Sequence, residues 1–246
     1  MAQISRLQIS RLGHALPGLK EPLRVVHLSD LHFGLYTMAE DVSRWVEQTL
    51  NEAPDLILIT GDFVDRLAWR DIGGLFKALE PLHAPLGVWG VWGNHDHNRS
   101  RTRVLGPAFK DLHFQILVNE GRQVREDVFL MGVDEEVEAS FDAARIFASK
   151  PGTATCIAMS HSPDTLPQLP PEIDLVLAGH THGGQIKLPG LGALRTSSAY
   201  GKRFLEGWIR EEGLPLAYVS RGLGTTALPI RWNSPAELVV LELNPL

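Results

Sequence analysis

A single cysteine in 246 residues, Cys156, has no partner for an internal disulfide, and its apolar surroundings mark it as a buried strand residue. No continuous apolar run follows Met1. Instead Gln3-Ile4-Ser5-Arg6-Leu7-Gln8-Ile9 alternates polar and apolar side chains, the pattern of an opening strand rather than of a signal peptide or membrane-spanning helix. Both absences lead us to expect a cytoplasmic protein. Basic residues are outnumbered, 23 Lys and Arg against 29 Asp and Glu, and the net charge of -6 argues against a broad nucleic-acid-binding face and against sequence-specific nucleic-acid recognition. Part of that negative charge would be offset if clustered aspartates hold divalent cations. Internal repeats, low-complexity linkers and shifts of composition are also lacking, so residues 1–246 are expected to form one domain. The composition that remains, 44% hydrophobic and 21% charged, is that of a globular chain with a sizeable core and argues against disorder.

Short apolar runs alternate with amphipathic ones. Arg24–Ser29, Leu56–Thr60, Gly87–Trp92, Cys156–Ser160 and Leu175–Ala178 read as strands, as do Phe114–Val118, Val128–Val133, Leu216–Ser220 and Glu237–Leu241. Helical periodicity covers Met38–Asn51, Asp71–Leu79, Ser100–Leu112 with an interruption at Pro107, and Ala139–Ser149. Asn119-Glu120-Gly121 reads as a turn. Strand, helix and strand in succession imply parallel pairing, and catalytic residues collect at the C-terminal edge of such strands.

Five of these strands end in residues able to bind a metal or move a proton. The first opens into Asp30-Leu31-His32, whose two polar side chains leave an extended segment on the same side. Others open into Gly61-Asp62-Phe63-Val64-Asp65, into Gly93-Asn94-His95-Asp96-His97 and into His161-Ser162-Pro163. The last opens into Gly179-His180-Thr181-His182-Gly183-Gly184-Gln185, where imidazoles two residues apart on a tight bend can face two neighbouring ions. Any one of these is equally an ordinary polar strand end. Their recurrence at five strands is not explained that way. Three carboxylate or amide groups and four imidazoles, without a thiolate, suit two borderline-to-hard divalent ions.

In this order, Asp-x-His, Gly-Asp-x-x-Asp, Gly-Asn-His-Asp, a lone His and Gly-His-Thr-His resemble the motifs of the calcineurin-like metallophosphoesterase superfamily, with no substitution. Leu28-Ser29-Asp30-Leu31-His32, Gly183-Gly184-Gln185, Ser220-Arg221-Gly222-Leu223-Gly224 and Ser234-Pro235-Ala236-Glu237 are similar to its single-domain bacterial phosphodiesterase branch. The likeness runs from about Arg24 onward and is weakest over His97–Gln115 and Asp134–Thr155.

The resemblance implies two mixed β-sheets packed face to face with helices outside, a four-layer αββα sandwich. It implies one ion on Asp30, His32, Asp62 and His182 and a second on Asp62, Asn94, His161 and His180. A hydroxide shared by the ions would attack phosphorus, with His95 as general acid oriented by Asp96 and with Asp65 fixing a ligand from behind. Manganese, iron and zinc are the expected metals, with nickel and cobalt as alternatives. The implied activity is phosphodiester hydrolysis. Hydrolysis of the lipid A precursor UDP-2,3-diacylglucosamine, of cyclic nucleotides or of nucleic-acid ends are specific versions of it. The competing class is a non-catalytic metal-binding scaffold, and intact ligands and an intact His95 weigh against it.

Two features bear on the substrate. Arg99, Arg101 and Arg103 follow the Asn94–His97 loop and suit a second phosphate or a carboxylate; a solvated helix start explains them as well. Apolar residues trail the ligand loops: Phe33, Leu35, Tyr36, Trp69, Leu191, Leu194, Phe204 and Trp208. They suit a groove for a lipid-bearing or aromatic substrate, or peripheral contact with the inner face of a membrane, and ordinary loop packing is the alternative. Of the remaining histidines, His14, His27, His83 and His113 are expected to have no part in the chemistry; His97, next to the site, could contact a phosphate, with a solvent-exposed loop position as the favoured alternative.

Overall fold

The computed structural model describes residues 7–65, 72–97, 99–134 and 142–246, and of residues 99–102 the backbone alone. One six-stranded sheet takes the order β1 (Gln8–Leu16), β14 (Glu237–Pro245), β2 (Leu23–Leu28), β3 (Leu56–Thr60), β4 (Val88–Val91) and β5 (Phe114–Ile116). The other takes β12 (Gly207–Ile209), β13 (Ala217–Val219), β9 (Leu175–Ala178), β8 (Thr155–Ser160), β7 (Val128–Val133) and β6 (Glu120–Arg125). Strands β2 to β5 run parallel, as do β7, β8, β9 and β13; each sheet also holds antiparallel pairs, β14 with β2 in one and β6 with β7 in the other.

Strands buried on both faces read as unbroken apolar runs, and Leu56-Ile57-Leu58-Ile59 and Leu175-Val176-Leu177-Ala178 are of this kind. Alternate residues then serve different cores. Leu56, Leu58, Val25 and Val91 meet Ile157, Met159, Leu175 and Leu177 between the sheets. Ile57, Ile59 and Val26 face outward onto α1 (Ala39–Asn51), α2 (Ile72–Leu79) and α3 (Arg99–Asp111). Val176 and Ala178 face α4 (Ala143–Ala148) on the far side. The layering is therefore helix, sheet, sheet, helix, as expected.

Val42, Trp45, Val46 and Thr49 are buried at helical spacing on α1, whose first turn carries Glu40 and Asp41 against the positive end of the helix. The Asp41 carboxylate also accepts the Met38 N–H that no helical bond can satisfy. Cys156 lies buried in β8, and burial pushes its thiol up to about 12.

Three expectations need correction. The opening strand lies further along, at Gln8–Leu16, because its partner is the C-terminal β14, with Gln8 opposite Glu237; residues 1–6 are outside the described part. The stretch Asn119-Glu120-Gly121 is not simply a turn. Asn119 turns at φ 51°, and Glu120 begins β6, an edge strand whose Glu-Gly-Arg-Gln-Val-Arg sequence shows little apolar alternation. Pro107 does not interrupt α3; it sits on an exposed face, where the carbonyl it leaves without a donor can turn to water. Asp71 and Ala139 to Phe141, the expected starts of two helices, lie outside the described residues.

Candidate metal centre

The parallel strands β2, β3 and β4 of one sheet and β8 and β9 of the other deliver every ligand candidate from their C-terminal ends. Asp30 and His32 follow β2, Asp62 follows β3, Asn94 and His95 follow β4, His161 follows β8, and His180 and His182 follow β9. The backbone turns abruptly into the left-handed region at the exits of β2, β3 and β9. Asp30, His32, Asp62, His180 and His182 have φ of 54°, 46°, 53°, 69° and 53°, a left-handed region costing non-glycine residues about 1–3 kcal/mol each. Hydrogen bonds across the sheets hold them there. Asp30 N–H donates to Gly61 O and His32 N–H to Asp62 O, while Gly224 N–H donates to Asp30 O at 2.7 Å. Gly93 and Gly179 permit close approaches, since a Cβ would stand 2.2 Å from Asp62 Oδ1 at the first and 1.8 Å from Ser29 Oγ at the second.

Two groups with no residue in common result, each able to hold a metal ion, with candidate ligand atoms within 4.8 Å of one another: Asp30, His32 and His182, and Asp62, His161 and His180; a third such group, His32, Asp65 and His95, shares His32 with the first. His32 Nε2 and His182 Nε2 face each other at 3.0 Å, and each is 3.8 or 3.5 Å from Asp30 Oδ1. His180 Nδ1 and His161 Nε2 likewise face each other at 3.0 Å, with Asn94 Oδ1 3.1 Å from His161 Nε2. Asp62 Oδ2 lies 3.4 Å from both His32 Nε2 and His161 Nε2, between the two groups. Ligand atoms about 2.1 Å from a shared ion stand about 3–3.5 Å apart, so buried nitrogens and oxygens facing one another at these distances fit a divalent cation.

The electrostatics follow from this crowding. Burial opposes the charge on Asp62 and Asp30, yet the surrounding imidazoles, His161 first for Asp62 and His182 first for Asp30, hold both carboxyls below the usual range. Burial lowers His32, His180 and His182. Burial would lower His161 too, but Asp62 and Asp30 outweigh it and carry the imidazole up to about 10. His161 thus holds a proton through the neutral range, and a cation taking its Nε2 must displace it. Rising pH favours the cation. Affinity for divalent metal is expected to increase by up to about tenfold per pH unit across neutrality, with proton release on binding. Calorimetric titration in buffers of different ionisation enthalpy checks this, and a pH-independent affinity would contradict it.

Asp96 is not where the sequence reading put it. Its fully buried carboxylate accepts the Gly93 N–H at 2.9 Å and the Phe63 and Val64 N–H groups at 3.3 Å, and makes no contact with the His95 ring. Burial, with Asp62 nearby, pushes it up to about 7. It fastens the β4 loop to the β3 loop. The carboxylate beside His95 is that of Asp65, whose Oδ1 is 3.4 Å from His95 Nδ1, while the His95 N–H donates to Asp62 Oδ1 at 2.8 Å. A carboxylate one residue along the chain points away on such a turn, whereas Asp65 returns on the neighbouring loop. His97, expected to be a solvent-exposed loop residue, places Nε2 2.9 Å from the buried Asp134.

His32, Asp62, Asn94, His95, His180 and His182 line the floor of an open cavity of about 480 Å³. Its upper wall is Ile186, Leu194, Arg195 and Leu228. Of the arginines expected to meet the substrate, Arg103 is exposed and does not line the cavity, and the side chains of Arg99 and Arg101 lie outside the described part. Arg195 takes that position. Of the trailing apolar residues, Leu194 lines the cavity and Leu191 is exposed, Phe33 and Phe204 are core, Trp208 packs on Tyr218, and Trp69 is not described.

Sequence reasoning missed Arg231. It is buried and donates to the carbonyls of His182, Arg221, Gly222, Gly224 and Ser234, with Nη2 3.1 Å from His182 Nδ1, so one guanidinium draws together the loops around the last ligand. A charged residue inside Leu228-Pro229-Ile230-Arg231-Trp232 was the available signal.

A sandwich of two mixed sheets that gathers aspartates and histidines at one edge defines a metal-binding phosphoesterase scaffold. The family model for calcineurin-like phosphoesterases matches residues 23–184, and the chain belongs to that family. An uncharacterized metallophosphoesterase of Bacillus subtilis, YkuE, is 33% identical over 96% of this chain and 83% of its own length. The UDP-2,3-diacylglucosamine pyrophosphatase LpxG of Chlamydia trachomatis is 28% identical over 96% of this chain and 89% of its own, and the phosphodiesterase YaeI of Escherichia coli is 26% identical over 94% and 87%. The solved structure of TT1561 of Thermus thermophilus shares the fold with a TM-score of 0.51 at 14% identity, covering 80% of this chain and 88% of that one.

Proposed function

We propose that residues 1–246 act as one dinuclear, metal-dependent phosphodiesterase domain. The observation that carries the reading is the meeting of two carboxylate–imidazole groups at one open cavity, which His32, Asp62, His180 and His182 of those groups line, with Asp62 Oδ2 between their imidazoles and His95 beside them. In this reading Asp30, His32, Asp62 and His182 hold one ion and Asp62, Asn94, His161 and His180 the other. Two divalent cations held there, of which manganese, iron or zinc fit best, would supply an activated water and offset charge on the phosphoryl oxygens. Asp62 serves both groups through Oδ2, and its Oδ1 fixes the His95 backbone. With Nδ1 of His95 turned to Asp65, its Nε2 is the nitrogen that carries a proton to the leaving oxygen. Arg195 at the mouth offers its guanidinium to a further phosphate.

The test is hydrolysis of bis-p-nitrophenyl phosphate against p-nitrophenyl phosphate by metal-stripped protein reloaded with each divalent ion in turn. Metal-dependent turnover with the diester preferred is expected. Preference for the monoester would contradict the diesterase reading. A lipid-linked diphosphate as the physiological substrate has specific support in the apolar wall of Ile186, Leu194 and Leu228 and in the likeness to the UDP-2,3-diacylglucosamine pyrophosphatase. Turnover of that nucleotide lipid at a rate above the synthetic diester is its expected signature.

A further inference from the structure

The mouth of the cavity is framed by two segments. One is the hairpin of β10 (Lys187–Leu188) and β11 (Gly192–Ala193), and the other is the loop from Thr226 to Asn233. They form one platform. Trp232 N–H donates to Gln185 O, Lys187 N–H donates to Trp232 O, and the Gln185 amide donates to the carbonyls of Thr226 and Leu228.

What this platform shows to solvent is unlike the rest of the surface. Leu188, Leu191 and Leu194 on the hairpin, and Leu228, Ile230 and Trp232 on the loop, are exposed, Leu191 at 68% and Trp232 at 57%. Single exposed apolar residues need no explanation, but six on two stitched segments around a cavity mouth do. The sequence here is also one-sided in charge, although Lys187 pairs in space with Glu206 and Arg203 with Glu211. In a chain with 29 acidic residues there is none between Asp174 and Glu206 and none between Glu212 and Glu237. Lys187, Arg195, Lys202 and Arg203 fall in the first of those gaps, and Arg195 and Lys202 are exposed without a carboxylate partner among the described residues.

We propose that this lip docks on a lipid bilayer carrying anionic headgroups, which puts the cavity mouth at the membrane surface and makes a lipid-anchored phosphoester the substrate class. The proposal rests on the phosphodiesterase reading for its substrate but not for its binding. Aliphatic side chains with a tryptophan suit the interfacial zone, and cations beside them suit anionic headgroups. A second copy of the chain fits worse, because a two-fold contact through this face sets Arg195 and Lys202 against cations of the same patch. No helix among the described residues is long and apolar enough to cross a membrane, and docking through this lip calls for none.

The experiment is flotation of the full, metal-loaded chain with phosphatidylcholine vesicles, with and without phosphatidylglycerol, alongside hydrolysis of bis-p-nitrophenyl phosphate in solution. The wild-type chain is expected to float at least about tenfold better with the anionic vesicles. The triple variant Leu191→Ser, Ile230→Ser, Trp232→Ser, whose residues do not line the cavity, is expected to lose flotation and keep hydrolysis. Lys202→Glu, a single surface change, is expected to weaken flotation on anionic vesicles alone. Flotation without turnover would support docking while removing the phosphodiesterase reading. Turnover without flotation, equal flotation by the triple variant, or a dimer that the triple variant dissolves would overturn the docking proposal.

Discussion

Asp62→Ala is expected to reduce phosphodiester turnover by about 10³-fold or more and to lower the number of tightly held divalent ions. Removing a group that merely orients a metal ligand costs about 10- to 100-fold in affinity or activity, and Asp62 stands between both ligand groups, 3.4 Å from His32 and from His161. The damage extends to His95, whose N–H loses its acceptor Asp62 Oδ1. Metal content by elemental analysis, together with kcat/KM on bis-p-nitrophenyl phosphate, reads both effects. A variant that keeps two ions and most of its turnover would show that Asp62 is not the shared ligand.

His95→Asn separates proton transfer from metal binding. Protonating a poor leaving group is worth about 10²- to 10⁴-fold, whereas p-nitrophenolate leaves readily without help. Turnover of an alkyl phosphodiester is therefore expected to fall by about that factor, with a much smaller fall on the p-nitrophenyl diester. Equal losses on the two substrates would remove the general-acid role. The neighbouring carboxylates sharpen the comparison. Asp65→Asn, at the Nδ1 end of His95, is expected to follow the same leaving-group dependence at smaller amplitude. Asp96→Asn changes a residue whose hydrogen bonds all go to the backbone of Gly93, Phe63 and Val64, so its effect is expected in thermal stability and uniformly across substrates.

The ligand candidates and the strands carrying them were legible in the sequence because burial leaves a plain signature. A parallel strand covered on both faces is apolar throughout, and a polar residue just beyond it marks the exposed C-terminal edge, as at Thr60 to Asp62 and Ala178 to His180. Where a side chain points after such a turn was not legible. The left-handed backbone at Asp62 and the tight approach of Gly93 decide that Asp96 turns inward and Asp65 meets His95, and neither conformation has a one-letter signal. Edge strand β6 escaped for a related reason, since its half-exposed residues show little alternation. Arg231 was missed because its acceptors are carbonyls contributed by His182 and by the Arg221–Gly224 loop, far apart in the chain. The family resemblance supplied the layered architecture, and the shared register of β2 with β3 and of β8 with β9 accounts for the ligand loops meeting at one edge.

Turnover is expected to depend on a centre of two cations. Metal-stripped protein titrated with manganese, with bound ion and diester hydrolysis followed in the same samples, tests it most directly. Two ions per chain, with turnover rising as the second binds, is the expected result. Saturation at a single ion with full turnover, or two ions bound with no turnover of any phosphoester, would contradict it.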